Sequence, residues 1–146
     1  MNHLVDVYRE LYDNDICFFS RSLPFSNNST AAVSIECGGD YGIFVDTEKL
    51  TTVAEETVTI GHEAGHCMTG ATHQVYSPAD LVQRHENRAD KWAIKKLVPE
   101  NELGKALADG HIELWDLAEY FGVTEDFMRK AVCWYQHGSL AVDLYF

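Results

Sequence analysis

Apolar residues recur at helical spacing from the start of the chain: Leu4, Val5, Tyr8, Leu11 and Tyr12 predict an amphipathic helix over residues 4–12. The run Ile16-Cys17-Phe18-Phe19 then reads as a short strand, and residues 20–30, with Pro24 and Asn27-Asn28-Ser29, carry turn chemistry. Two further strand-like runs, 31–36 and 41–46, flank Cys37-Gly38-Gly39-Asp40, and a Gly-Gly tip between apolar runs predicts a hairpin. From residue 51 the period becomes helical. One helix is expected over 51–69, then a polar loop to Pro78, then a second long helix from Asp80 to about Val98, stopped by Pro99. Shorter helices follow over 100–108, 112–121 and 124–134, broken at Asp109-Gly110 and at Gly122, with Thr124 placed to cap the last. Strands early and helices late give an α+β order: a small antiparallel N-terminal sheet followed by a C-terminal helical bundle.

Composition narrows the class. At 146 residues and 46% apolar content the chain is expected to form one domain over 1–146, with an N-terminal helix and sheet (1–50), two long helices (51–98) and C-terminal helices (99–146). No appended sensory or DNA-binding domain is expected at this length. A formal charge of −12 argues against broad contact with nucleic acid or anionic lipid, whose phosphates would repel such a surface. No stretch approaches the ~20 apolar residues of a membrane span. The opening Met1-Asn2-His3-Leu4-Val5-Asp6 lacks the basic and apolar regions of a secretory signal, so a cytoplasmic protein is expected. Cys17, Cys37, Cys67 and Cys133 form no C-x-x-C pair and read as reduced, mostly buried thiols. Seven histidines in so acidic a chain are the odd feature, because imidazole is the commonest metal ligand.

Two of those histidines lie in His62-Glu63-Ala64-Gly65-His66, inside the first long helix. Positions i and i+4 of a helix lie about 40° apart, so both rings project side by side and can share one metal ion. Glu63 stands about 100° around from His62, where a base can take a proton from a metal-bound water. The string alone is suggestive; the second long helix decides the matter. A catalytic zinc takes three protein ligands and keeps a fourth position open. Glu86 and Asp90 share a stripe with Ala93 and Leu97, while Arg84, Arg88, Lys91 and Lys95 occupy the opposite face. Carboxylates on the apolar side and cations outside fit a Glu86 that binds the metal and an Asp90 that accepts the ring N–H of a liganding histidine. The basic outer stripe is a candidate docking surface for an acidic substrate segment.

These residues resemble a known family. His62-Glu63-Ala64-Gly65-His66, then Glu86-Asn87-Arg88-Ala89-Asp90-Lys91-Trp92-Ala93 and Leu97-Val98-Pro99, look like the ImmA/IrrE family of zinc metallopeptidases, as does the later run Leu117 to Glu125. The resemblance implies a zincin-like fold and a gluzincin-like endopeptidase. It places Zn2+ on His62, His66 and Glu86, with Glu63 as general base. It also implies a bacterial or phage cytoplasmic protease that cleaves a regulatory protein, such as a helix-turn-helix transcriptional repressor. The rival reading is a non-catalytic, zinc-stabilised binding protein that sequesters such a regulator. Neither reading sets an oligomeric state.

The remaining candidates are weaker. His73 and Tyr76, in the loop between the long helices, could donate to the oxyanion of a tetrahedral intermediate, and His85 could line the cleft. Cys67 points away from the ligand face and reads as core. Gly65 inside a helix suggests close approach of a neighbouring backbone. His3, His111 and His137 show no local partner pattern and read as surface residues. Residues 41–46 could act as an edge strand that holds an extended peptide, or as a plain hairpin strand. Residues 115–134 could be read as a DNA-binding helix-turn-helix. However, residues 100–146 hold nine carboxylates against three cations, which favours a packed helical pair.

Overall fold

The computed structural model describes residues 3–21, 31–71 and 77–138. Its elements in chain order are α1 (Leu4–Asp13), β1 (Cys17–Ser20), β2 (Ala32–Cys37), β3 (Asp40–Val45), a 3-10 turn (Thr47–Lys49), α2 (Val53–Thr69), α3 (Ala79–Leu97), α4 (Glu100–Ala108), α5 (Leu114–Phe121) and α6 (Glu125–His137). The α+β class holds.

The sheet corrects one expectation. β2 and β3 form the antiparallel hairpin, Ala32 opposite Val45 and Cys37 opposite Asp40, with Gly38 and Gly39 at positive φ (59° and 90°) in a two-residue turn. β1, however, pairs with β3 in parallel, Cys17 opposite Gly42, so the three-stranded sheet is mixed and its order is β1-β3-β2. The strand over 41–46 is therefore central and has no free edge. β2 is the edge strand that faces α2.

Alternation along β3 places Ile43 and Val45 inside, against Ile60 and Ala64 of α2. The buried stripe of α3 (Ala89, Ala93, Ile94, Leu97) meets the other side of α2. Two glycines make that meeting close. A Cβ on Gly61 would lie 2.8 Å from Leu97 Cδ1, and one on Gly65 would lie 2.5 Å from the Ala89 carbonyl oxygen. Gly65 therefore has the packing role its sequence position suggested. Phe121 of α5 and Met128 and Ala131 of α6 complete the core from the C-terminal side.

Capping sets the helix ends. Thr52 accepts from the Glu55 N–H at the start of α2, and Thr124 accepts from the Phe127 N–H at the start of α6. At the end of α2, Gly70 turns left-handed (φ 66°), and the Ala71 N–H returns to the His66 carbonyl. That reversal brings the Ala71 carbonyl to His66 Nδ1.

His3 is a second correction. It is buried, with Nε2 3.0 Å from Glu102 of α4 and Nδ1 3.5 Å from Asp6, and not a surface residue. His111 likewise has a partner, Asp116 at 2.9 Å. Cys67 and Cys133 are buried, whereas Cys17 and Cys37 are exposed.

Candidate metal centre

His62 and His66 sit one turn apart on α2, and Glu86 faces them from α3. His62 Nε2 lies 2.7 Å from Glu86 Oε2 and 3.1 Å from His66 Nε2, and His66 Nε2 lies 3.1 Å from Glu86 Oε1. One donor atom from each residue falls within 4.8 Å of the others, a grouping able to hold a metal ion.

Each ring is held from behind. His62 Nδ1 is 2.7 Å from Asp90 Oδ1, and His66 Nδ1 is 2.7 Å from the Ala71 carbonyl oxygen. An N–H at both Nδ1 positions satisfies those acceptors and leaves both Nε2 atoms turned toward Glu86. This is the arrangement a metal needs from two neutral imidazoles. The donor set of two nitrogens and one carboxylate suits zinc, for which tetrahedral bonds of ~2.0–2.1 Å put neighbouring donors roughly 3.3 Å apart. The separations here are slightly shorter, so a small outward shift of the side chains would accommodate the ion. The residues fit the group.

Electrostatics follow from burial and pairing. Burial pulls the His62 ring down, but its hydrogen bonds to Asp90 and Glu86 outweigh this and push it up to about 10. Hydrogen bonds from His62 and His66 hold the Glu86 carboxyl well below the usual range. Burial pushes Asp90 up, yet His62 and Lys130 together bring it below its ordinary value. Glu63 goes the other way: burial raises its carboxyl, against the lowering effect of His62 and a hydrogen bond from Ser34. A carboxyl raised in this way, beside a group able to hold a metal, is a stronger base than an exposed glutamate. Cys67 is pushed up to about 12, first by burial and then by Glu63, and stays an inert thiol.

His62, Glu86 and Glu63 border an open cavity of about 620 Å³, with His66 buried behind them. Ala31 and Ala32 at the start of β2 line one side, and Thr124, Phe127 and Lys130 of the C-terminal helices another. Thus His62, Glu63, His66, Glu86 and Asp90 come together. His85 is half-buried on α3 and is not among the described residues lining this cavity. His73 and Tyr76 lie outside the described residues.

Three contributors had no sequence reading. The Ala71 carbonyl could have been inferred from Gly70 as a left-handed helix terminator. Ser34 and Lys130 arrive from β2 and α6 and leave no local signal. On the outer face of α3, Arg84, Arg88, Lys91 and Lys95 are exposed as expected, and Lys91 lies 5.1 Å over the Trp134 ring. No helix among the described residues is long and apolar enough to cross a membrane.

In comparison with known families, the model of the IrrE N-terminal-like domain, a peptidase family, matches residues 20–132. The comparisons with curated proteins and with solved structures returned no match.

Proposed function

This chain belongs to the IrrE N-terminal-like domain family of peptidases, and on that premise we propose that it is a zinc-dependent, gluzincin-like endopeptidase. The observation that carries the reading is the convergence of His62 Nε2, His66 Nε2 and the Glu86 carboxylate on one point, with Glu63 beside them in an open cavity.

His62, His66 and Glu86 would hold the zinc, which when bound polarises a scissile carbonyl and lowers the pKa of water. The protein's own groups do the rest. Glu63 takes the proton of the attacking water on its carboxylate and delivers it to the leaving amide nitrogen. Its burial raises that carboxyl, which favours the first of these transfers. Asp90 and the Ala71 carbonyl hold both rings in the tautomer that faces the substrate side. β2 is an edge strand of the sheet among the described residues, and an extended substrate segment can add along it as a further strand, with Ala31 and Ala32 at the cavity wall.

The substrate class we assign is a cytoplasmic regulatory protein of a bacterial or phage system, such as a helix-turn-helix repressor. The family resemblance of the two metal-site motifs supports this. The test is to incubate the purified protein with a candidate repressor and map the fragments by mass. Glu63→Gln should keep stoichiometric zinc and partner binding and lose cleavage. Cleavage that survives Glu63→Gln would remove Glu63 from the mechanism. A regulatory effect that survives it without cleavage would instead establish the sequestering-protein reading.

A further inference from the structure

Among the described residues lining the cavity, Lys130 is the only lysine or arginine, set against Glu63, Glu86, Asp90 and Asp126. Its ammonium donates to Asp90 Oδ2 at 3.0 Å, while the other oxygen of the same carboxylate takes the His62 ring at 2.7 Å.

We propose that Lys130 is a positioning residue of the metal centre, acting through Asp90 to hold the His62 ring in its liganding orientation; this rests on the metal-site reading above. A carboxylate as buried as Asp90, 8% exposed, needs partners on both oxygens. With Lys130 in place, Oδ2 is satisfied and Oδ1 is left to His62 alone. Remove the ammonium, and Oδ2 must find another donor by rotating the carboxylate, which weakens its hold on His62 Nδ1. Because Lys130 belongs to α6, the relay also makes the metal site depend on the docking of a helix that contributes no donor atom.

That helix has anchors of its own. The Tyr135 hydroxyl donates to the Val98 carbonyl at 2.7 Å, and Phe127, Met128 and Ala131 are buried in the core. Losing one half-exposed amine therefore leaves α6 in place and changes the relay selectively.

Zinc affinity of the full chain, measured by competition with a chromogenic chelator, tests this without reference to cleavage. Lys130→Met should bind zinc about tenfold more weakly, the low end of the range for partners of liganding histidines. Lys130→Arg should recover most of the loss. The visible bands of the cobalt-substituted protein should shift in Lys130→Met and return in Lys130→Arg. In an Asp90→Asn background, adding Lys130→Met should change affinity by no more than about twofold, because the relay is already broken. If Lys130→Met does not fold by circular dichroism, Lys130→Gln takes its place and should fall between wild type and Asp90→Asn. Wild-type affinity in folded Lys130→Met (or in Lys130→Gln where that replaces it), or an equal loss in the Asp90→Asn background, overturns the proposal. A wild-type chain that binds no zinc overturns the metal-site reading itself, a distinct result.

Discussion

Gly65 and Ala89 meet backbone to backbone: a Cβ on Gly65 would stand 2.5 Å from the Ala89 carbonyl oxygen and 3.0 Å from its Cα. Gly65 precedes His66 and Ala89 precedes Asp90, so this contact limits how far α2 stands from α3 beside the metal centre. Gly65→Ala should gain about 1 kcal/mol of helix propensity. It should lose more to overpacking, typically about 1–3 kcal/mol and upward where the neighbour is backbone. Net destabilisation in denaturant titration is expected, together with weaker zinc binding as Glu86 moves off the histidines. Gly61→Ala meets only the end of the Leu97 side chain and should cost less. Equal effects at the two glycines would contradict this account.

Zinc binding should release protons. With its ring pushed up to about 10, His62 holds a proton at neutral pH in the metal-free chain, and that proton must leave before Nε2 can bind a metal. Glu86 is already ionised there and competes for nothing. The His66 ring is also raised, by its hydrogen bond to Glu86 against burial. Affinity should therefore rise with pH by at least about tenfold per unit between neutrality and pH 9, with at least about one proton released per zinc. For folding the sign is opposite. A raised histidine contributes its full stability below its unfolded value of about 6.5 and loses it as pH rises toward 10. The metal-free chain thus weakens on this account over the interval in which zinc binding strengthens. Calorimetric titrations in buffers of different ionisation enthalpy measure the proton count.

Ser34 should tune the base. Its hydrogen bond lowers Glu63 against the raising effect of burial, so Ser34→Ala should raise the Glu63 carboxyl further. The base works ionised, so the acid limb of the kcat/KM profile should move to higher pH, with the plateau little changed. An unmoved limb would separate Ser34 from the chemistry.

Away from the site, the Tyr8 hydroxyl donates to Glu56 at 2.7 Å and ties α1 to α2. Tyr8→Phe should cost about 1–2 kcal/mol, in keeping with a half-buried bond to a charged acceptor. Burial first, then Glu56, raises the phenol above its ordinary value. A raised acid contributes full stability below its unfolded pKa of about 10 and loses it above. Wild type should therefore lose stability more steeply than Tyr8→Phe above pH 10 in thermal melts.

Much of this was legible before the fold. α2 was expected over 51–69 and spans Val53–Thr69 behind its Thr52 cap; α3 was expected from Asp80 to Val98 and spans Ala79–Leu97. Helices announce themselves through a short period and local capping groups, so a window of a few residues contains the signal. The parallel pairing of Cys17 with Gly42, and the central place this gives β3, come from residues far apart in the chain. His3 was misread for the same reason, since Glu102, its closest partner, lies ninety-nine positions away.

The same division runs through the site. The sequence by itself determined that His62 and His66 share a face, that Glu63 stands beside them, and that Glu86 and Asp90 share a stripe with apolar residues. All of this is the internal geometry of single helices. Tertiary structure alone decided that Glu86 closes on both imidazoles, that Asp90 reaches His62 Nδ1, that β3 lies at the centre of the sheet with β2 at an edge, and that Lys130 stands behind Asp90. Those outcomes depend on how closely the helices approach. That distance is set by the volume of the side chains at the crossing, here the missing Cβ of Gly65 against the backbone of Ala89.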